Sequence, residues 1–268
     1  VGISVIIPCY CCSETLPRAV DSIAAQTRLP EQVLLVDDAS PDDGATIGVM
    51  EQLRQKYPAL RIEIIDLKTN VGPGEARNAG WGHASQEYLA FLDADDAWFP
   101  DKLRLQYEWM SAHPEATMSG HRSVQIRTMS NMPPQQDRYA TQRVSLLTLL
   151  FLNRFPTRSV MLRRSLTLRF ESQKRYAEDF LLWLRIACAG HAMWFLDAPL
   201  ACSFKADYGE SGLTASLWRM ERGELDSYIR LSRSGDLSYP ALAVLLPWSL
   251  FKFLIRLIKQ IKLTVSHD

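Results

Sequence analysis

The sequence carries no net charge: 30 Lys and Arg balance 30 Asp and Glu over 268 residues. That argues against a nucleic-acid binder that depends on a strongly basic surface, and no nucleic-acid partner is expected. Cysteine is scarce and odd in number, five in all, with Cys9, Cys11 and Cys12 crowded into one turn. Neighbouring Cys11 and Cys12 are poorly placed to pair without strain. No second CxxC or His pair completes a set of four zinc ligands. Reduced thiols of a cytoplasmic protein are the expectation. Internal repeats and low-complexity tracts are missing. The chain opens directly on a strand pattern rather than on a charged-then-apolar leader. What is plentiful is apolar side chain, 47% of residues with seven Trp, which suffices for a substantial core.

Along the first 112 residues, apolar runs alternate with helical spacing. Ile3 to Pro8, Gln32 to Val36, Arg61 to Leu67 and Tyr88 to Leu92 read as strands, the buried ones of a parallel sheet. Between them, Leu16 to Ala24 (with Ser13 as cap), Thr46 to Tyr57 and Glu75 to Ala84 read as helices. This alternation predicts an α/β fold with a doubly wound, mostly parallel sheet, which binds ligands at the carboxyl ends of its strands. Two acidic clusters, Asp37/Asp38 and Asp93/Asp95/Asp96, stand at such ends and are expected to face one crevice. Farther on, the pattern gives a helix over Asp101 to Ala112 and a strand over Ala116 to Ile126. A polar loop over Arg127 to Arg143 follows, then a short helix over Ser145 to Leu152 and a strand over Arg158 to Leu162. A long apolar helix from Glu178 stops at Gly190.

Asp93-Ala94-Asp95-Asp96 directly follows an apolar strand. Carboxylates gathered at one strand end repel each other unless a cation compensates, and a divalent ion shared with diphosphate oxygens is the natural partner. A solvated acidic turn is the plainer alternative. Asp179, at a helix N-terminus, is placed to be held ionised and ready to accept a proton; the plainer role is to complement the helix dipole. The glycine-rich Gly72-Pro73-Gly74 invites a dinucleotide reading, but Arg77 occupies the position that close helix–strand packing keeps for glycine.

The ordered set of Val5 to Tyr10, Val36 to Ser40, Asn70 to Gly80 and Phe91 to Asp96, with Tyr176 to Leu184 later on, closely resembles the family 2 glycosyltransferases. The resemblance implies a GT-A fold and an inverting transfer from a nucleotide-sugar donor. Pro8 and Tyr10 would line the base pocket, and Asp38 would accept from an imide N–H of uracil or thymine, unless it serves only as a turn residue. Arg77 would approach the diphosphate, unless it is a surface cation. Asp93 would touch the donor ribose or the metal and Ala94 would contact the donor, Asp95 would be the main ligand of Mn²⁺ or Mg²⁺, and Asp179 would be the general base. No Gln-x-x-Arg-Trp motif is present, which favours transfer of a single sugar, and no His lies between Ala192 and Leu263 to join the metal. Lys205, Asp207, Arg219 or Arg222 are the alternatives there, and Lys205 to Thr214 reads as a mobile lid. A non-catalytic nucleotide-sugar or glycan-binding protein is the competing class.

The organisation expected is a catalytic domain over 1–235, with a donor half 1–112 and an acceptor half 113–235, and an amphipathic extension over 236–268. In that extension Lys252, Arg256, Lys259 and Lys262 line one helix face and apolar residues cover the rest. Such a helix lies in a membrane interface or packs on protein, and Pro247 and Lys252 break the apolar run before the roughly twenty residues of a span. With a lipid-linked or glycan acceptor, the expectation is peripheral attachment to the cytoplasmic face of the inner membrane, as in bacterial surface-polysaccharide assembly.

Overall fold

The computed structural model describes residues 2–133, 138–204 and 217–265. Strands β1 (Ile3–Cys9), β2 (Gln32–Asp37), β3 (Ile62–Asp66) and β4 (Tyr88–Phe91) pair in parallel in the order β3-β2-β1-β4. Helices α1 (Leu16–Ala24), α2 (Ala45–Lys56) and α3 (Pro73–His83) make the crossovers. Alternate side chains of a strand leave on opposite faces. Val5 and Ile7 therefore join Val33 and Leu35 under α1 and α2, while Ile6 joins Leu34, Val36 and Phe91 against α3. Both faces are covered, which is why these strands are continuous apolar runs. Ser13 does not cap α1: Thr15 holds the cap position without a side-chain bond.

The expectation of a mostly parallel sheet fails in the second half, where the sheet is mixed. Beyond β4 the order runs β8-β6-β9-β5, from strands β5 (Asp96–Trp98), β6 (Ala116–Gln125), β8 (Met161–Arg163) and β9 (Ala192–Ser203). Pairs β4·β8, β6·β8 and β5·β9 are antiparallel, and only β6·β9 is parallel. Strand β7 (Thr141–Val144) crosses the supposed polar loop and pairs antiparallel with β9. Around these lie α4 (Lys102–Ala112), α5 (Leu146–Phe151), α6 (Glu178–Cys188) and α7 (Leu217–Arg233). The strand expected from Arg158 begins later, because Thr157–Ser159 forms a 3-10 turn.

The last helix, α8 (Tyr239–Val265), is the expected C-terminal helix. Among its described side chains, Ser249, Lys252 and Arg256 turn inward onto α7. Ser249 Oγ donates to Glu221 Oε1 at 2.8 Å, Arg256 reaches Glu221 Oε2 at 2.8 Å, and Lys252 pairs with Glu224. Leu237 and Leu245 join the main core beside Tyr228 and Leu231. Among the described side chains of α8, the exposed ones are apolar, including Trp248, Phe251, Leu254 and Ile258. Tyr239–Ile258 has the length and apolarity to cross a membrane, with a mean hydropathy of 1.9 over 20 residues.

One close approach fixes α3 on the sheet. A Cβ added at Gly80 would stand 2.6 Å from Ile6 Cγ2 and 3.2 Å from Val36 Cγ2. Both neighbours are β-branched and stiff at χ1. Gly80→Val is expected to destabilise the fold by about 1–3 kcal/mol through overpacking. Urea denaturation checks this, and an unchanged midpoint would show that α3 can ride up at no cost.

Candidate active site

A crevice of about 1450 Å³ opens where β1, β2 and β4 end, and both acidic clusters reach it. Pro8 and Tyr10 lie on its wall, with the Tyr10 ring half exposed. The next residue, Cys11, takes a left-handed conformation (φ 46°), as do Ala39 (φ 53°) and Ala177 (φ 53°) at the other segments that border the crevice. Such outliers in non-glycine residues persist only where surrounding bonds hold them. At Ala39 the holding bonds are visible: Asp37 accepts from Ser40 Oγ at 2.6 Å and from Ser40 N at 3.1 Å. Ser40 Oγ in turn accepts from Cys11 N at 2.9 Å.

Asp38 does more than line the crevice. Its Oδ1 accepts from Val71 N at 2.7 Å and its Oδ2 from Gly72 N at 2.8 Å, so one carboxylate clamps the glycine-rich turn ahead of α3. Each oxygen keeps a further lone pair, which leaves room for a donor such as an imide N–H. Burial raises the Asp38 pKa, and the two backbone N–H groups oppose that rise.

Arg77 lines the crevice and is not the surface cation of the plainer alternative. It is buried, and its guanidinium bonds Asp93 Oδ1 at 2.6 Å and Glu178 Oε1 at 2.8 Å, with the Phe170 ring 5.5 Å from its centre. The residue therefore ties the β4 end to the start of α6. Ala94, largely buried, and Asp95 both line the crevice, and the Asp95 backbone carbonyl accepts from Arg18 at 2.6 Å. Asp96 is buried at the head of β5 and faces Arg158 at 3.3 Å. Burial first, then the charges of Asp93 and Asp95, push its carboxyl up to about 8 against the pull of Arg158.

Asp179 faces the same crevice from α6. Its Oδ2 accepts from Thr157 Oγ1 at 2.9 Å and its Oδ1 from Phe180 N at 2.7 Å. The helix N-terminus was expected to keep this carboxyl readily ionised. Instead its pKa is raised, because burial outweighs the opposing effects of Arg77, Thr157 and the Phe180 amide. Neighbouring Glu178 is pushed to about 7, again by burial first, although Arg77 opposes the rise.

Three site residues were not singled out from the sequence. Thr157 and Arg158 come from the 3-10 turn before β8, a stretch without a motif, and Glu178 was passed over in favour of its neighbour. Of the groups expected to complete a metal shell, Lys205 and Asp207 lie outside the described residues, as does the expected lid over 205–214. Arg219 donates to Tyr176 OH at 3.2 Å, and neither it nor Arg222 lines the crevice.

Among the described residues, no group of three His, Cys, Asp or Glu side chains forms a cage for a metal ion. The crevice suits a cation in another way. Asp93, Asp95 and Asp96 stand together, and Asp96 holds its proton up to about 8 partly because of the other two. A cation shared between Asp95 and oxygens of a bound ligand fits that donor set.

Removing the charge of Arg77 leaves Asp93 and Glu178 unpaired in a buried place. Arg77→Met is expected to cost about 3–5 kcal/mol. Differential scanning calorimetry checks it, and a melting temperature equal to wild type would mean that the two carboxyls do not depend on this guanidinium.

Comparison with known proteins agrees with this geometry. The pattern of glycosyl transferase family 2 matches residues 4–172. The UDP-Glc:alpha-D-GlcNAc-diphosphoundecaprenol beta-1,3-glucosyltransferase WfgD of Escherichia coli is 28% identical over 184 residues, which cover 69% of this chain and 69% of that protein. Two further relatives, 43% and 38% identical, are matched over only 30% and 29% of their own lengths. Among solved structures, S. aureus TarS 1-349 in complex with UDP-GlcNAc has a TM-score of 0.67 at 21% identity, covering 93% of this chain and 72% of that one. The mannosyltransferase PcManGT of Pyrobaculum calidifontis, in complex with GDP-Man and Mn²⁺, has a TM-score of 0.66 at 18% identity, covering 98% of this chain and 80% of that one. The fold is the GT-A-type mixed α/β sheet, and the chain belongs to glycosyl transferase family 2.

Proposed function

We propose that the protein is an inverting, metal-dependent glycosyltransferase that moves one sugar from a UDP- or dTDP-sugar to a hydroxyl of a glycan or lipid-linked acceptor. The observation that carries this reading is the meeting of Asp95 and Asp179 in one crevice, from segments 84 residues apart in the chain (179 minus 95). Similar proteins support it: one relative acts with UDP-Glc on a diphosphoundecaprenol-linked sugar, and two solved neighbours hold UDP-GlcNAc, and GDP-Man with Mn²⁺. Surface-polysaccharide assembly is the matching process. The donor half is 1–112 and the acceptor half 113–235, and the apolar outer face of α8 would seat the protein on the cytoplasmic face of the inner membrane.

Pro8 and Tyr10 flank the base, and Asp38 uses its remaining lone pairs for the imide N–H. Asp93 and Ala94 border the donor, and Asp95 holds Mn²⁺ or Mg²⁺. When bound, that ion supplies positive charge against the departing diphosphate. Asp179 takes the proton of the acceptor hydroxyl as the new oxygen–carbon bond forms and the bond to the diphosphate breaks on the opposite face. Thr157 fixes the Asp179 carboxyl by a hydrogen bond, and Arg77, which positions Asp93 and Glu178, approaches the donor diphosphate from the crevice wall.

A buried base with a raised pKa is a stronger base once ionised, and it works only above that pKa. The transfer rate of wild type should therefore fall as pH drops through a value above the ordinary Asp range near 4. Asp179→Asn should lose that acid limb and about 10²–10⁴-fold in kcat. An acid limb that survives in the variant assigns the proton to another group.

Donor binding and hydrolysis across a panel of nucleotide sugars, with and without Mn²⁺, test the class directly. Wild type is expected to take one UDP- or dTDP-sugar in a metal-dependent way, and Asp95→Ala to lose both binding and metal dependence. No binding of any nucleotide sugar under any metal condition would falsify the reading.

A further inference from the structure

Part of the crevice wall is a face of the sheet. Gln142 of β7 pairs with Phe195 of β9, and Phe195 and Asp197 alternate onto one side of β9, so these three side chains line the open space together. Arg122 of β6 stands beside them. The register of β6 on β9 shifts on both sides of Arg122, the kind of bulge that re-aims a side chain next to a site. Its Nε lies 3.6 Å from Asp197 Oδ1, and both side chains are about half exposed.

Arg154, in the loop after α5, closes this face. Its Nη1 donates to Gln142 Oε1 at 3.1 Å, and its guanidinium stands 5.5 Å from the centre of the Phe195 ring. Arg77, Arg158, Lys252 and Arg256 also line the crevice, and each of them bonds a carboxylate. Arg154 meets no carboxylate among the described residues. It therefore brings an unmatched positive charge and further N–H donors to a wall that already has an aromatic ring and an amide. An aromatic face with a few converging polar groups is the usual lining of a small-ligand pocket.

The same loop leads to the proposed base. Thr157, whose Oγ1 donates to Asp179 Oδ2 at 2.9 Å, follows Arg154 by three residues (157 minus 154). That is about 11 Å of chain at most. One sugar ring, with the side chains reaching toward it, can bridge the gap.

We infer that the acceptor sugar is acidic: its ring lies against Phe195, its carboxylate is held by Arg154, and its hydroxyl edge faces Asp179. The inference rests on the transferase reading, because it names the sugar that accepts in that reaction, whatever carries that sugar. A carboxylate offers two oxygens that match the guanidinium fork, and such charge-assisted pairs are roughly twice as strong as neutral hydrogen bonds. A neutral sugar offers hydroxyls only. Like charge on Asp93, Asp95 and Asp179 turns the acid of the sugar away from the base and toward Arg154.

The full chain, with UDP and Mg²⁺, is titrated by ligand-observed NMR with phenyl glycosides of glucuronic and galacturonic acid and of glucose and galactose. At least one uronide is expected to bind about fivefold or more tighter than its neutral counterpart. Arg154→Gln should remove that difference, and Arg154→Lys should keep part of it because the charge remains. Arg143→Gln, an exposed residue on the opposite side of β7 from Gln142, should keep the full preference and so controls for net charge. Equal binding of acidic and neutral sugars, binding of neither, or a preference that survives in Arg154→Gln would overturn the inference. Tighter binding of glucose 1-phosphate than of either uronide would also overturn it, by assigning the guanidinium to a phosphate. Nucleotide-sugar binding and hydrolysis are measured on the same wild-type preparation. Hydrolysis without a uronide preference sinks this inference alone. The preference without nucleotide-sugar binding or hydrolysis sinks the transferase reading and leaves a site for acidic sugars.

Discussion

The guanidinium of Arg77 holds together carboxylates that are far apart in the chain, Asp93 at a separation of 16 residues and Glu178 at 101. A buried cation is costly on its own, and so is each of its partners. Together they form the one arrangement in which the end of β4 and the start of α6 must be near each other. Asp95 follows Asp93 by two residues and Asp179 follows Glu178 by one, so the tie also sets the relation between the groups proposed to hold the metal and to accept the proton. Loss of the pair would loosen the site from both sides at once.

The other wall is built on the same plan, with carboxylates serving the backbone. Asp37 folds the Ala39 turn through Ser40, and Asp38 fastens the turn ahead of α3 by two amide bonds. These bonds hold Cys11 and Ala39 in conformations that an unsupported chain would leave. Gly80 then lets α3 settle against Ile6 and Val36, which carries Arg77 to its partners. The acidic residues of this crevice therefore divide into those that shape its loops and those left facing the open space.

The first half of the fold was legible because its information is local. A buried parallel strand is an apolar run and its crossover helix has its own period, so Ile3 to Leu92 could be parsed segment by segment. The second half depends on pairing across long separations. Strand β9 carries Asp197 and Pro199 and has no clean alternation, and only its place between β6 and β5 makes it a strand. Asp38, Asp93, Asp95 and Asp179 stood out by motif, but what each one bonds did not. The partner of Arg77 lies on a distant helix, and Thr157 belongs to a turn that no pattern marks. In α8 the charged and apolar stripes were both visible, whereas the direction each faces was decided by Glu221 and Glu224 of α7. Amphipathicity gives two faces and leaves open which one is inside.

Charge accounting connects these observations to chemistry. Asp93, Asp95, Asp96, Glu178 and Asp179 all line the crevice; Arg77 bonds Asp93 and Glu178, and Arg158 faces Asp96. Withdrawal from water makes full ionisation of neighbouring carboxyls unfavourable. Burial accordingly pushes Asp96 up to about 8 and Glu178 to about 7, and raises Asp179 above its ordinary value. Asp95 lines the crevice beside them. A diphosphate that enters next to these carboxyls is repelled less if it brings its counter-ion with it, which is the physical content of the metal dependence proposed above.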